Sequence, residues 1–117
     1  MDNKVELTKF LKGPVIVCKG LIDEILYLQG GAIKTLTVDG PTSLKRCSGQ
    51  GDILAGIIAE LLAIKEWSID FPSRCKLGCE ILRKCSKFTY DIKNRSTNAS
   101  FMLADLPEIL RSDFLNP

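Results

Sequence analysis

Between Lys45 and Leu62 a polar stretch, Lys45-Arg46-Cys47-Ser48-Gly49-Gln50-Gly51-Asp52, runs without a break into an apolar one, Ile53-Leu54-Ala55-Gly56-Ile57-Ile58-Ala59-Glu60-Leu61-Leu62. The second half is a helix-forming run, whereas the first is rich in glycine and small polar residues. The junction therefore reads as a glycine loop feeding a helix N-terminus. Such a junction offers backbone N–H groups without intrahelical partners and roughly half a positive charge from the helix dipole. That is an anion site, and phosphate is its usual occupant. Asp52 stands in the first turn of this helix. A carboxylate there either caps the helix or serves as a base beside a bound phosphate.

At 117 residues the chain is one domain, 1–117, with enough length to bury roughly two-thirds of its unfolded surface. A net charge of +2, with lysines and arginines interleaved among acids, argues against a nucleic-acid or membrane-surface partner. No apolar run approaches the length of a membrane span. The segment Met1 to Glu6 has neither the apolar core of a signal peptide nor the acid-poor composition of a transit peptide. The five cysteines, Cys18, Cys47, Cys75, Cys79 and Cys85, form no CxxC pair, and histidine is absent. No metal site is expected from them. Reduced, partly buried thiols in the cytoplasm are the simpler reading.

Val5 to Lys12 reads as a short amphipathic helix ended by Gly13-Pro14. Val15-Ile16-Val17-Cys18 has the continuous β-branched character of a strand buried on both faces. Ile25–Leu28 and Ile33–Val38 read as a second and third strand joined around Gln29-Gly30-Gly31 as a hairpin or meander. Three helices follow: about Asp52 to Lys65, Ser73 to Asp91 and Ser100 to Arg111. Gly56 implies close packing of the first of them against another backbone. A strand buried on both faces needs neighbours that one hairpin does not supply. The chain is thus expected either to pair with another chain, a homo-oligomer through unpaired strands, or to be one part of a larger architecture.

Three groups of residues carry chemical interest. The GxGD string Gly49-Gln50-Gly51-Asp52 is weak alone, but Lys45-Arg46 before it suits a polyphosphate. Lys19-Gly20-Leu21-Ile22-Asp23 follows the first strand, where open α/β sheets bind ligands; it also reads as a plain turn between strands. Arg95-Ser96-Thr97 precedes the last helix and has the composition of a cap. Without histidine no Ser/His/Asp or Cys/His arrangement exists, and Asp23, Asp39, Asp52 and Glu60 show no paired-carboxylate spacing.

Together these stretches resemble the C-terminal portion of the ATP-dependent NAD(P)H-hydrate dehydratases of the ribokinase-like superfamily, from about Pro14 to about Leu110. The resemblance rests on Val17-Cys18-Lys19-Gly20-Leu21-Ile22-Asp23 with Ile25-Leu26, and on Lys45 to Gly56 with its RCxGQGDxLxG pattern. It extends through Gly78-Cys79 and Cys85 to Arg95-Ser96-Thr97 with Met102-Leu103-Ala104. Related sugar and vitamin kinases share only the smaller GxGD core. Members of the family are longer than this chain, and Phe101 stands where they usually carry an aspartate.

The resemblance implies an α/β fold, the C-terminal part of a ribokinase-like domain: a short helix, about three strands, then three helices. It implies nucleotide contacts from Lys19, Gly20, Leu21, Ile22 and Asp23. It implies an ATP-binding loop of Thr42, Ser43, Leu44, Lys45, Arg46, Cys47, Ser48, Gly49, Gln50 and Gly51. Asp52 would face the hydrated nicotinamide as both substrate contact and catalytic base. The implied reaction removes water from hydrated NADH or NADPH with ATP and Mg²⁺, giving ADP and phosphate. Two other readings stay open: a ribokinase-like small-molecule kinase, and a truncated, non-catalytic nucleotide-binding remnant.

Overall fold

In the computed structural model, which describes residues 14–40, 49–93 and 98–110 together with residues 6 and 42, the chain turns most sharply at Gly30-Gly31. Both glycines have positive φ, 60° and 79°. A two-residue hairpin turn of the type matching strand twist needs this, and it is a conformation that a side chain disfavours. Gln29 therefore pairs with Ala32, and the register runs back to Asp23 opposite Val38. This hairpin joins β2 (Asp23–Gln29) to β3 (Ala32–Val38). A short strand, β1 (Ile16–Cys18), adds antiparallel to β2, giving the order β1-β2-β3.

Three helices follow, α1 (Gln50–Ala63), α2 (Phe71–Lys93) and α3 (Ala99–Ile109). The expected three strands followed by three helices are thus present, each helix within about two residues of its sequence-based start. The expected helix at 5–12 falls, apart from Glu6, outside the described residues. Local chemistry accounts for the starts. Asp70 accepts the Ser73 amide at 3.0 Å and opens α2; Asn98 accepts the Phe101 amide at 2.9 Å and opens α3. No basic residue occupies the last turn of α1. Instead Arg74, from the first turn of α2, reaches back to the carbonyls that this end leaves open. Its guanidinium donates to Leu61 O at 3.1 Å, Ile64 O at 2.6 Å, Trp67 O at 3.0 Å and Ile69 O at 2.8 Å. It also lies over the Trp67 ring, 4.9 Å from the centroid.

Helix α2 is the centre of the molecule. It packs across β2 and β3, and both α1 and α3 pack against it. Its core residues Cys75, Cys79, Leu82 and Cys85 meet Ile25 and Val38 from the sheet, Ile53 and Leu54 from α1, and Met102 and Ile109 from α3. A helix enclosed on so many sides needs small residues, and α2 supplies them. A Cβ added at Gly78 would lie 2.8 Å from Ile58 Cγ1.

Two expectations are corrected here. Gly56 is not the close-packing glycine: it is exposed, with nothing within 4 Å of the Cβ position. The close approach occurs at Gly78, on the partner helix. Nor is β1 buried on both faces. Its residues are half-buried and, among the described residues, pair only with β2. The β-branched run that reads as a strand buried on both faces here pairs antiparallel with β2.

Candidate active site

The α1 N-terminus is built on Gly49. Its backbone is left-handed, with φ 93° and ψ −6°, and an added Cβ would sit 3.1 Å from Ala99 Cβ. Only glycine meets both conditions without strain. The first helical bond runs from Ile53 N to Gly49 O at 3.1 Å, and no side chain caps the turn. The amides of Gln50, Gly51 and Asp52 are therefore the open donors of the first turn. Gln50 turns its side chain inward, where its Nε2 lies 3.4 Å from Ser86 Oγ on α2 and 3.4 Å from Met102 Sδ on α3. That side chain anchors the helix start, which leaves the main-chain amide as the polar group not engaged inward at this position. The third helical residue, Asp52, is exposed, and among the described residues its carboxylate has no hydrogen-bond or ion-pair partner. Beside it opens an apolar groove of about 410 Å³ between α1 and α3, walled by Ile53, Ile57, Leu103 and Leu106.

The Lys19-Gly20-Leu21-Ile22-Asp23 stretch folds as a tight turn whose carboxylate points into the protein. Asp23 is fully buried. It accepts from Lys19 Nζ at 2.7 Å, from the Gly20 amide at 3.1 Å and from Arg83 Nε at 2.8 Å. Burial by itself would raise the Asp23 carboxyl pKa. Hydrogen bonds from Arg83, Lys19 and Gly20 outweigh burial and hold it below the ordinary carboxylate value. The Asp23 side chain is thus enclosed by internal donors. What this stretch presents outward is the Lys19 side chain, 31% exposed, and the main chain of Gly20 to Ile22. Leu21 and Ile22 at the tip are 94% and 51% exposed.

Nothing in the local spelling marks Arg83, yet it is the most connected residue of this region. It is only 4% exposed. Besides Asp23, its guanidinium donates to Gly20 O at 3.0 Å, Leu21 O at 2.7 Å and Gly40 O at 2.9 Å. The signal available in the sequence is positional: Arg83 lies four residues after Cys79 and three before Ser86, inside the apolar stripe of α2. A cation in such a stripe needs partners. Arg83 and Ser86 are neighbours one turn apart on α2. One turn of α2 therefore holds the 19–23 turn through Arg83 and the α1 N-terminus through the Ser86–Gln50 contact.

Of the expected loop, Thr42 is exposed, and Gly49, Gln50 and Gly51 are placed as described. Ser43, Leu44, Lys45, Arg46, Cys47 and Ser48 lie outside the described residues, as do Arg95, Ser96 and Thr97. Phe101, in the first turn of α3, lies beneath the Lys93 ammonium, 4.8 Å from the ring centroid. Burial pushes the Cys79 and Cys85 thiols up to about 11, so they are protonated and poor nucleophiles at neutral pH. Cys18, Cys75, Cys79 and Cys85 form no disulfide. Among the described residues no three Cys, Asp or Glu side chains converge to hold a metal ion, and no helix is long and apolar enough to cross a membrane.

This arrangement falls within a recognised sequence family. Residues 4–107 match the family model described as NAD(P)H-hydrate dehydratase. The chain belongs to the NAD(P)H-hydrate dehydratase family. Among its relatives are proteins named ATP-dependent (S)-NAD(P)H-hydrate dehydratase. That of Entamoeba histolytica is 32% identical over 96% of this chain and 37% of its own length. That of Batrachochytrium dendrobatidis is 35% identical over 87% of this chain and 35% of its own. That of Neurospora crassa is 38% identical over 97% of this chain and 34% of its own. The chain thus spans about a third of the length of the curated relatives it matches. The mixed α/β arrangement of three antiparallel strands and three helices is that of part of a domain of this family.

Proposed function

We propose that this chain carries the ATP-binding and proton-accepting part of an enzyme that dehydrates damaged, hydrated NADH or NADPH at the expense of ATP. The observation that carries the reading is Asp52: an exposed, unpartnered carboxylate, among the described residues, beside three open amides at a helix start. A cap would use that carboxylate; here it is left available, in a chain whose relatives are named for this reaction.

Hydroxide is a poor leaving group, and phosphorylation of the substrate hydroxyl makes it a good one. Asp52 takes the hydroxyl proton as that oxygen attacks the γ-phosphorus and ADP departs. The amides of residues 50–52 and the α1 dipole stabilise charge on the phosphoryl oxygens. Phosphate then leaves with the C–O bonding pair as the ring nitrogen donates its lone pair, and the adjacent ring carbon gives up a proton to water, its C–H pair becoming the C=C bond of the reduced nicotinamide. Lys19, beside the 19–23 turn, and the 42–51 loop supply nucleotide contacts. Mg²⁺, held with the nucleotide through few protein ligands, would neutralise phosphate charge, which leaves Asp52 to act as the base. A small-molecule kinase would share the first step but retain the phosphate on its product. Among the described residues β1 pairs only with β2, which fits pairing of its other edge with a further strand, including that of a second copy.

Asp52→Asn tests the assignment, with turnover and ATP titration measured on the same preparation. The expected result is loss of NAD(P)H formation by about 10²-fold or more with ATP affinity within a few-fold of wild type. Weakened ATP binding with unchanged turnover per bound complex would make Asp52 a binding residue rather than a base.

A further inference from the structure

We infer that Arg83 is a positioning residue that locks the 19–23 turn and the chain leaving β3 at Gly40 into one rigid unit, so that the two stretches proposed to hold ATP move together. This rests on the nucleotide reading above. The geometry is specific to a guanidinium. Nε meets Asp23 at 2.8 Å, one terminal nitrogen meets Gly40 O at 2.9 Å, and the other meets Gly20 O and Leu21 O at 3.0 and 2.7 Å. Four acceptors from two segments far apart in sequence are held by one planar fork, which a lysine ammonium does not span.

The pairing of Asp23 with Val38 already ties β2 to β3 along the sheet. Residues 20–21 and 40 lie beyond that ladder, where no strand bond is available to them, and Arg83 is what joins them. Gly40 is also where the chain leaves the sheet toward the 42–51 loop. That loop returns at Gln50, whose side chain meets Ser86 one turn along α2. The helix therefore fixes the entry of the proposed ATP loop, its exit, and the turn carrying Lys19.

A purely structural role for Arg83 makes a different forecast, and Arg74 is the control. It lies on the same helix, is as little exposed (3% against 4%), and also makes four such bonds, but all to carbonyls in the last turn of α1 and the chain that follows it. The experiment is amide hydrogen exchange on wild type, Arg83→Lys, Asp23→Ala and Arg74→Lys, paired with ATP titration. In Arg83→Lys, residues 19–22 and 39–42 should both exchange faster by about tenfold or more, with ATP affinity lowered by about tenfold. Arg74→Lys should leave both segments and ATP affinity near wild type per unit of lost global stability. Loosening of only one segment in Arg83→Lys, or equal loosening in Arg74→Lys, would overturn the proposal. If Arg83→Lys does not fold, Asp23→Ala removes one acceptor of Arg83 without touching Gly40; unchanged exchange at 39–42 would then overturn it. A wild-type chain that binds no ATP would remove the nucleotide reading, while the exchange measurement decides the coupling independently.

Discussion

Asp23→Asn is the perturbation whose consequence follows most directly from the structure. The carboxylate is fully buried against a guanidinium only 4% exposed, 2.8 Å away. Removing one member of a buried pair leaves the other charge uncompensated, at a cost of about 3–5 kcal/mol. The Lys19 pair, partly exposed, adds at most about 1 kcal/mol. A domain of 117 residues has about 6–18 kcal/mol of total stability, so the loss is a large fraction of it. At about 4–5 °C per kcal/mol, the melting midpoint should fall by about 12–25 °C. Urea unfolding followed by circular dichroism measures the difference. The pH dependence gives a second check. Because the folded-state carboxyl is held below its ordinary value, its contribution is complete above the unfolded pKa of about 3.9. It is lost as pH falls through the lower folded value. The gap between wild type and Asp23→Asn should therefore be full at pH 7 and close below pH 4. A loss under about 1 kcal/mol at pH 7, or a gap that persists in acid, would refute the role assigned to this carboxylate.

Arg74→Met should destabilise the chain by about 3–5 kcal/mol, because it strands the carbonyls at the end of α1 that the guanidinium now satisfies; thermal unfolding reads this directly. Arg74→Lys should fall between, since it keeps the charge but not the fork. Gly78→Ala should cost about 1–3 kcal/mol despite alanine's better helix propensity, because the new methyl meets Ile58 Cγ1 at 2.8 Å. Truncating the opposing side chain, Ile58→Val with Gly78→Ala, should leave that clash in place because Cγ1 survives, whereas Ile58→Ala should relieve it; a double-mutant cycle tests the contact.

The hairpin was legible because two adjacent glycines between alternating apolar runs leave few other backbone solutions, and Gly30-Gly31 adopts the required positive φ. The glycine at the start of α1 was legible too: Gly49 takes the positive φ that a side chain disfavours, and Asp52 in the turn after it is exposed. Partners far apart in sequence were not legible. Gly56 carried the wrong inference because a helical glycine states that something is close only if a neighbour is known, and the neighbour contact belongs to Gly78. Asp23 looked available because a carboxylate in a turn ordinarily faces water; what encloses it, Arg83, lies sixty residues further along the chain. Arg74 and Arg83 both sit among small and apolar residues of α2. That placement hints at burial but names none of the carbonyls they bind.

The most direct test of the proposed reaction is NADH formation from its hydrated form by the wild-type chain, with and without ATP and Mg²⁺, with ADP measured alongside. The expected result is NADH formed only with ATP, with one ADP released per NADH. NADH formation without ATP, or a phosphorylated nicotinamide that accumulates, would contradict it.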